Sequence, residues 1–207
     1  MVERYVALAY RRDELASMTS LDCPSPHLEP DPQWGLATHE KFGLAHDTNV
    51  LTLCPGAEFG RAKKWPERHY AAVARAHIER GGVVWLFGSQ NDRGACELIA
   101  EGLPSVQLRI LAGETSLKEA VALMACADKV VSNDSGLMHV AAALERLLVA
   151  LYGSTSGYTP PLNQQKEIIQ AEISCSPCFK RECPYGHYKC LEELVPEKVN
   201  GALLRLG

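Results

Sequence analysis

The sequence lacks any apolar run approaching the roughly 18–20 residues that a bilayer-spanning helix needs. Its start, Met1-Val2-Glu3-Arg4-Tyr5, has neither the basic flank nor the apolar stretch of a secretion signal. Together these absences point to a cytoplasmic protein. An excess of positive charge is missing as well: the formal net charge is −4, so nothing draws the chain generally to nucleic acid or anionic lipid, and a polynucleotide partner is disfavoured. No Gly-Lys-Ser/Thr ending of a nucleotide-hydrolase P-loop occurs after the glycines near position 60. Neither a capping residue nor a strand precedes the helical pattern at Met1, which reads as the continuation of something.

What is present is an ordinary folded composition, 46% hydrophobic and 22% charged over 207 residues, enough for one or two domains with a sizeable core. Met1 to Leu15 carries Val2, Val6, Ala9 and Tyr10 at the spacing of one helix face. Cys23-Pro24-Ser25-Pro26 and Pro30-Asp31-Pro32 then fix extended backbone and read as a linker. The expected division is a remnant helix and proline-rich linker over 1–47 and a Rossmann-like domain over 48–207.

Within that domain short apolar runs alternate with helical periodicity. Strands are expected at Val50–Leu53, Val83–Phe87, Leu108–Leu111, Lys129–Ser132, Leu147–Tyr152 and Ile168–Ala171. Helices are expected from Pro66, which would open the first turn, over Asn91–Ala100 and Leu117–Cys126, over Gly136–Leu144, and from Pro196 to Leu206. Alternating β and α units imply an α/β fold with a parallel sheet and helices on both faces. Ligands of such sheets bind at the carboxyl ends of the strands, which directs attention to the loops after Leu53, Phe87, Ser132 and Tyr152.

Four constellations stand out. The loop from Cys54 to Pro66 offers Gly56 and Gly60, the cations Arg61, Lys63 and Lys64, and a following helix start, a combination suited to phosphate; the alternative is a solvated basic turn. Asn133-Asp134-Ser135-Gly136-Leu137-Met138-His139 opens a helix whose free N–H groups suit an anion, with His139 one turn in; alone it is also a commonplace helix start. The polar loop Gly153 to Pro161 either closes over a ligand or merely connects elements. Cys175, Cys178, Cys183 and Cys190, set among Lys180, Arg181, His187 and Lys189, could hold zinc or an iron–sulfur cluster, act in redox chemistry, or be reduced thiols in a basic loop, although their later spacing matches no standard finger. Cys23, Cys54, Cys96 and Cys126 are scattered; the last two fall within helical patterns, where a cysteine acts as a small hydrophobe.

Five segments in series, Cys54 to Pro66, Leu86-Phe87-Gly88-Ser89, Leu111-Ala112-Gly113-Glu114-Thr115, Ser132 to Ala143 and Val149-Ala150-Leu151-Tyr152-Gly153, closely resemble the C-terminal portion of the ADP-heptose:lipopolysaccharide heptosyltransferases, glycosyltransferase family 9, most of all the heptosyltransferase II group. The Met1–Tyr10 segment resembles one near the middle of that family's polypeptide. The resemblance implies the C-terminal, donor-binding domain of an inverting GT-B glycosyltransferase that needs no metal or other cofactor. The implied donor is ADP-L-glycero-D-manno-heptose and the implied acceptor the lipopolysaccharide inner core, reached through an N-terminal domain that has no counterpart here. Lys63 would neutralise the departing diphosphate as the catalytic cation. Ser135, Gly136 and Leu137 would hold phosphate oxygens, Asp134 would contact the heptose, and His139 would assist. Lys64 would be a second cation, and Ser89 or Gln90 would reach the adenosine.

The resemblance supplies no general base from this chain, so the expectation is a donor-binding half that is inactive alone. It further implies a place at the cytoplasmic face of a Gram-negative inner membrane, with peripheral contact. Two other readings stay open: a metal- or redox-active module centred on the cysteine loop, and another nucleotide-sugar enzyme of GT-B architecture.

Overall fold

A computed structural model describes residues 2–44, 49–156 and 160–207, the side chains of Val2 and Arg4 apart. In order the elements are α1 Val2–Val6, α2 Arg12–Ser17, α3 Pro32–Phe42, β1 Val50–Cys54, α4 Glu67–Ile78, β2 Val83–Leu86, α5 Arg93–Ala100 and β3 Leu108–Ile110. There follow α6 Leu117–Met124, β4 Lys129–Asn133, α7 Gly136–Ala143, β5 Leu147–Tyr152, β6 Lys166–Gln170, α8 Lys189–Glu192 and α9 Pro196–Arg205. The strands form one six-stranded sheet in the order β3-β2-β1-β4-β5-β6, every neighbouring pair parallel. Strand order reverses between β1 and β4, the position at which doubly wound sheets open a crevice.

The central strands are largely apolar because both faces are covered, yet a period of two persists beneath. Leu51 and Leu53 of β1, Val84 and Leu86 of β2, and Val149 and Leu151 of β5 share one core with Tyr70 and Val73 of α4, Ile99 of α5 and Val199 of α9. Val50, Trp85, Leu148 and Ala150 turn the other way, onto Leu123 of α6 and Met138 and Ala141 of α7. Helices on both faces thus follow directly from the two sets of strand side chains.

The first helical pattern is interrupted. α1 passes into a turn of 3-10 helix at Ala7–Ala9, Tyr10 is extended, and α2 begins afresh where the Glu14 carboxylate accepts the Arg11 N–H at 2.8 Å. The proline-rich stretch is also more ordered than a linker. Leu28 N–H donates to the Ala143 carbonyl at 2.8 Å, and Asp31 caps α3 by accepting the Gln33 N–H at 2.9 Å, with Pro32 at the first helical position. α3 lies against α6, with Gly35, Thr38 and His39 buried and the His39 ring edge-on to Trp85 at 5.5 Å. The boundary expected at 47/48 falls outside the described residues. Cys96 is buried as expected, whereas Cys126 lies just beyond α6 and is exposed.

His77 on α4 is buried, its Nε2 2.9 Å from the Asn49 carbonyl. Burial pushes its pKa below the ordinary 6.5; the Asn49 carbonyl opposes the shift and Arg80 and Lys129 add to it. The unfolded chain therefore takes up a proton as pH falls through about 6.5 while the folded chain resists doing so, and stability declines on the acid side of that value. Urea unfolding from pH 7.5 to 5.5 should show this decline, and His77→Gln should make it shallower; an unchanged slope would assign it elsewhere.

Candidate functional site

The loops that follow β1 and β4 meet at the reversal of strand order, and one amide fastens them together. Asn133, fully buried at the end of β4, donates from Nδ2 to the Pro55 carbonyl at 2.7 Å. Its Oδ1 accepts from Trp65 N–H at 3.2 Å and from the Tyr70 hydroxyl at 3.0 Å. Both ends of the β1 loop are thereby tied to the residue preceding Asp134. Trp65 is anchored further by its indole N–H, which donates to the Leu194 carbonyl at 2.7 Å.

A cleft of 680 Å³ opens there, lined among others by Phe59, Lys63, Ser89, Asp134, Gly136 and His139. Lys63 ends a short 3-10 segment, Arg61–Lys63, and its ammonium lies 2.6 Å from Asp134 Oδ2, with Asp134 buried and Lys63 largely so. The same carboxylate oxygen accepts the Thr155 hydroxyl at 2.7 Å. The ammonium also sits 4.9 Å from the centroid of the Phe59 ring. A cation held in low dielectric at a cleft wall is a strong attractor for an anion that can displace its carboxylate partner.

Opposite it begins α7. Ser135 takes the cap position without a side-chain hydrogen bond to the first turn, because its hydroxyl meets Ser132 Oγ at 3.2 Å instead. The N-terminal amides of α7 are left for a ligand, and the positive end of the helix dipole adds to their pull on an anion. A side chain at Gly136 would meet no protein atom within 4 Å, so the backbone there faces the open cleft. His139 is exposed one turn on. Desolvation by the surrounding protein lowers its pKa, Asp134 opposing and Lys63 reinforcing the shift, so the ring is neutral near pH 7 and retains one N–H to donate.

The glycosyltransferase family 9 (heptosyltransferase) model matches residues 1–189. The chain belongs to glycosyltransferase family 9. It is 43% identical over 207 residues to lipopolysaccharide heptosyltransferase 2 of Escherichia coli K12, covering 96% of this chain and 59% of that protein. To lipooligosaccharide heptosyltransferase 2 of Haemophilus influenzae it is 42% identical over 95% of this chain and 60% of the other. The solved structure of the E. coli ADP-heptose lps heptosyltransferase II superposes with a TM-score of 0.85 at 40% identity, covering all of this chain and 61% of that one. The chain thus spans about three-fifths of the length of these relatives.

In this family 9 domain the cleft gathers Lys63 from the β1 loop and Asp134, Ser135, Gly136, Leu137 and His139 from the end of β4 and the first turn of α7. Lys64 turns away. Its ammonium pairs with Asp92 at 3.3 Å and the residue lines a neighbouring polar cleft with Arg61 and Arg68. Gln90 packs over Gly113 and is absent from the cleft lining, where Ser89 stands instead. The two glycines of the β1 loop make room for protein, since a side chain at Gly56 would strike the Asp92 carboxylate at 2.5 Å and one at Gly60 the Arg181 carbonyl at 2.4 Å; Gly56 also lines the cleft. Asp92 is buried where it accepts the Ser89 N–H and hydroxyl at 3.0 and 2.7 Å; the reading of the sequence misses it, although Ser89-x-x-Asp92 is a capping-box signature. Thr155 is visible in the sequence only as one residue of a polar loop, of which 157–159 lie outside the described residues.

The four cysteines are partly exposed, and no group of three or more His, Cys, Asp or Glu among the described residues is placed to hold a metal ion. Burial, with the neighbouring thiols adding, pushes the Cys190 thiol up to about 11, while backbone N–H groups near Tyr188 and Tyr185 draw the partly exposed Cys183 thiol down against its desolvation. The module reading thus finds no ligand set among the described residues. The loop instead braces the cleft: the Arg181 carbonyl accepts Ala62 N–H at 3.0 Å and Phe179 N–H donates to the Ser154 carbonyl at 2.7 Å.

Replacing Asn133 by Ala leaves the Trp65 N–H and the Pro55 carbonyl without their partner in a dry interior, while the Tyr70 hydroxyl keeps only the Cys54 carbonyl, at 3.3 Å. The expected loss is roughly 2–4 kcal/mol of unfolding free energy in urea titration. A loss within a few tenths would show that the loops are held by other means.

Proposed function

We propose that this chain binds ADP-heptose and forms the donor-binding portion of a heptosyltransferase that extends the lipopolysaccharide inner core. The observation that carries the reading is that a largely buried lysine, Lys63, and the uncapped start of α7 line a single cleft at the sheet's reversal point. A nucleotide diphosphate fits both. Its negative charge grows as the bond to the anomeric carbon breaks, and donors already fixed in place stabilise that growth most effectively. The relatives named for heptosyl transfer in E. coli and H. influenzae supply the sugar and the acceptor class.

In this reading an acceptor hydroxyl attacks the anomeric carbon from the face opposite the leaving ADP, inverting the centre. Lys63 and the amides at Gly136 and Leu137 hold the diphosphate, Asp134 faces the sugar, and neutral His139 donates a hydrogen bond. With a cation and amides already on the diphosphate, no metal or other cofactor is assigned. The acceptor surface and the base that removes the hydroxyl proton are assigned to the part of the relatives' length that the matched span does not include. No helix among the described residues is long and apolar enough to cross a membrane. The proposed working place is the cytoplasmic face of the inner membrane, in peripheral contact with a lipid-linked acceptor.

Titration calorimetry with ADP and ADP-heptose tests the reading. Lys63→Ala should weaken both roughly 10- to 100-fold, as the loss of a charged hydrogen-bond donor does, whereas Lys64→Ala, whose charge is turned to Asp92, should change them by no more than about twofold. A folded wild-type chain that binds neither nucleotide would overturn the assignment.

A further inference from the structure

The loop after β5 reaches into the cleft's polar network through one side chain. Thr155 is 9% exposed, and its hydroxyl donates at 2.7 Å to the same Asp134 oxygen that the Lys63 ammonium approaches at 2.6 Å. Asp134 is thus gripped from two sides through Oδ2. Such a grip fixes the carboxylate's rotation and leaves its other oxygen outside both contacts. A carboxylate held by the lysine alone would be free to swing with that long side chain, and would follow it when an incoming diphosphate drew the ammonium away.

Thr155 is itself held in place with unusual thoroughness for a loop residue. Its carbonyl accepts from Gln170 Nε2 at 3.3 Å, and the same amide donates to Ser176 Oγ at 3.1 Å. The Ser176 hydroxyl donates in turn to the Gly153 carbonyl at 2.8 Å. Ser154, between them, donates its N–H to the Ala62 carbonyl at 3.1 Å and accepts the Phe179 N–H at 2.7 Å. β6 and the start of the cysteine loop therefore set the position of Thr155, while the neighbouring Ala62 fixes Lys63 from the same scaffold.

We propose that Thr155 is a positioning residue for the sugar end of the donor site. It keeps Asp134 oriented toward the bound sugar independently of Lys63, so that the lysine can transfer its charge to the diphosphate without carrying the carboxylate along. The inference rests on the donor-site reading above, in which Asp134 faces the sugar. It also explains why these loops are braced, because the rigidity supplied by Gln170, Ser176 and Phe179 is what makes a single hydroxyl an effective orienting contact.

The test compares Thr155→Val, which keeps the shape and removes the hydroxyl, with Thr155→Ser, which restores it. Titration calorimetry on the whole chain, with ADP and with ADP-heptose as separate probes, reads the ratio of the two affinities. For Thr155→Val the expectation is that ADP-heptose weakens about tenfold while ADP stays within about twofold, and that Thr155→Ser recovers most of the difference. A merely structural role would lower both affinities together and leave the ratio unchanged; that result, or a wild-type ratio in Thr155→Val, overturns the proposal. Thermal unfolding of each variant identifies a folding defect, in which case the Ser variant's ratio alone decides: it must match wild type. A wild-type chain that binds ADP but gains nothing from the sugar refutes the role of Thr155 and leaves the diphosphate site standing, whereas failure to bind ADP at all refutes both.

Discussion

The buried side-chain amide of Asn133 is the contact on which the rest of the cleft depends. A parallel sheet brings the ends of β1 and β4 side by side, but it fixes only backbones; the connection from β1 to α4 runs over twelve residues, 55–66. Asn133 holds that loop at Pro55 and at Trp65 and has its Oδ1 shared with Tyr70. Because an unpaired amide in a dry interior is so costly, the three hydrogen bonds form together or the local structure opens. Lys63 lies within the span so held, and Asp134 is the residue that follows the amide in sequence.

Beyond that tie the cleft is built by loops resting on loops. The segment Ala62–Lys63 is supported from beneath by Ser154 and by Arg181, and Gly60 exists to let the Arg181 carbonyl approach. Asp92 performs the same service on the other side, filling the space over Gly56 and Gly88. The cysteine loop thus supports the cleft through its backbone carbonyls and amides. Its thiols, which attract attention in the sequence, are peripheral to this contribution.

The Lys63–Asp134 pair has an electrostatic logic of its own. Removing two opposite charges from water contributes little to stability, and replacing such pairs by apolar groups is often neutral or better. What the pair offers is a cation already desolvated and aimed, with a partner that a dianionic diphosphate can outcompete. The neighbouring Lys64 is paired with Asp92 and exposed to solvent on one side, where screening weakens its reach.

The architecture is legible in the chain, since strands covered on both faces are largely apolar and the helices between them show a 3.6 period, as at Val83–Leu86, Leu147–Tyr152 and α4. The sequence also marked two segments that line the cleft, through cations and glycines at one and a helix start at the other. α3 escapes such a reading because its buried face is Gly35, Thr38 and His39, which carry no apolar periodicity, while its true signal, Asp31 before Pro32, sits inside a run of prolines that resembles a linker. It is the folded chain that puts Lys63 in the cleft wall and turns Lys64, extended just past the 3-10 segment, to Asp92. It alone brought Thr155 onto Asp134 across 21 residues and placed Gln90 over Gly113 while Ser89 faced the cleft. Periodicity encodes which face of an element is dry; which side chains meet across separate loops is settled by packing, and packing has no local signature in the chain.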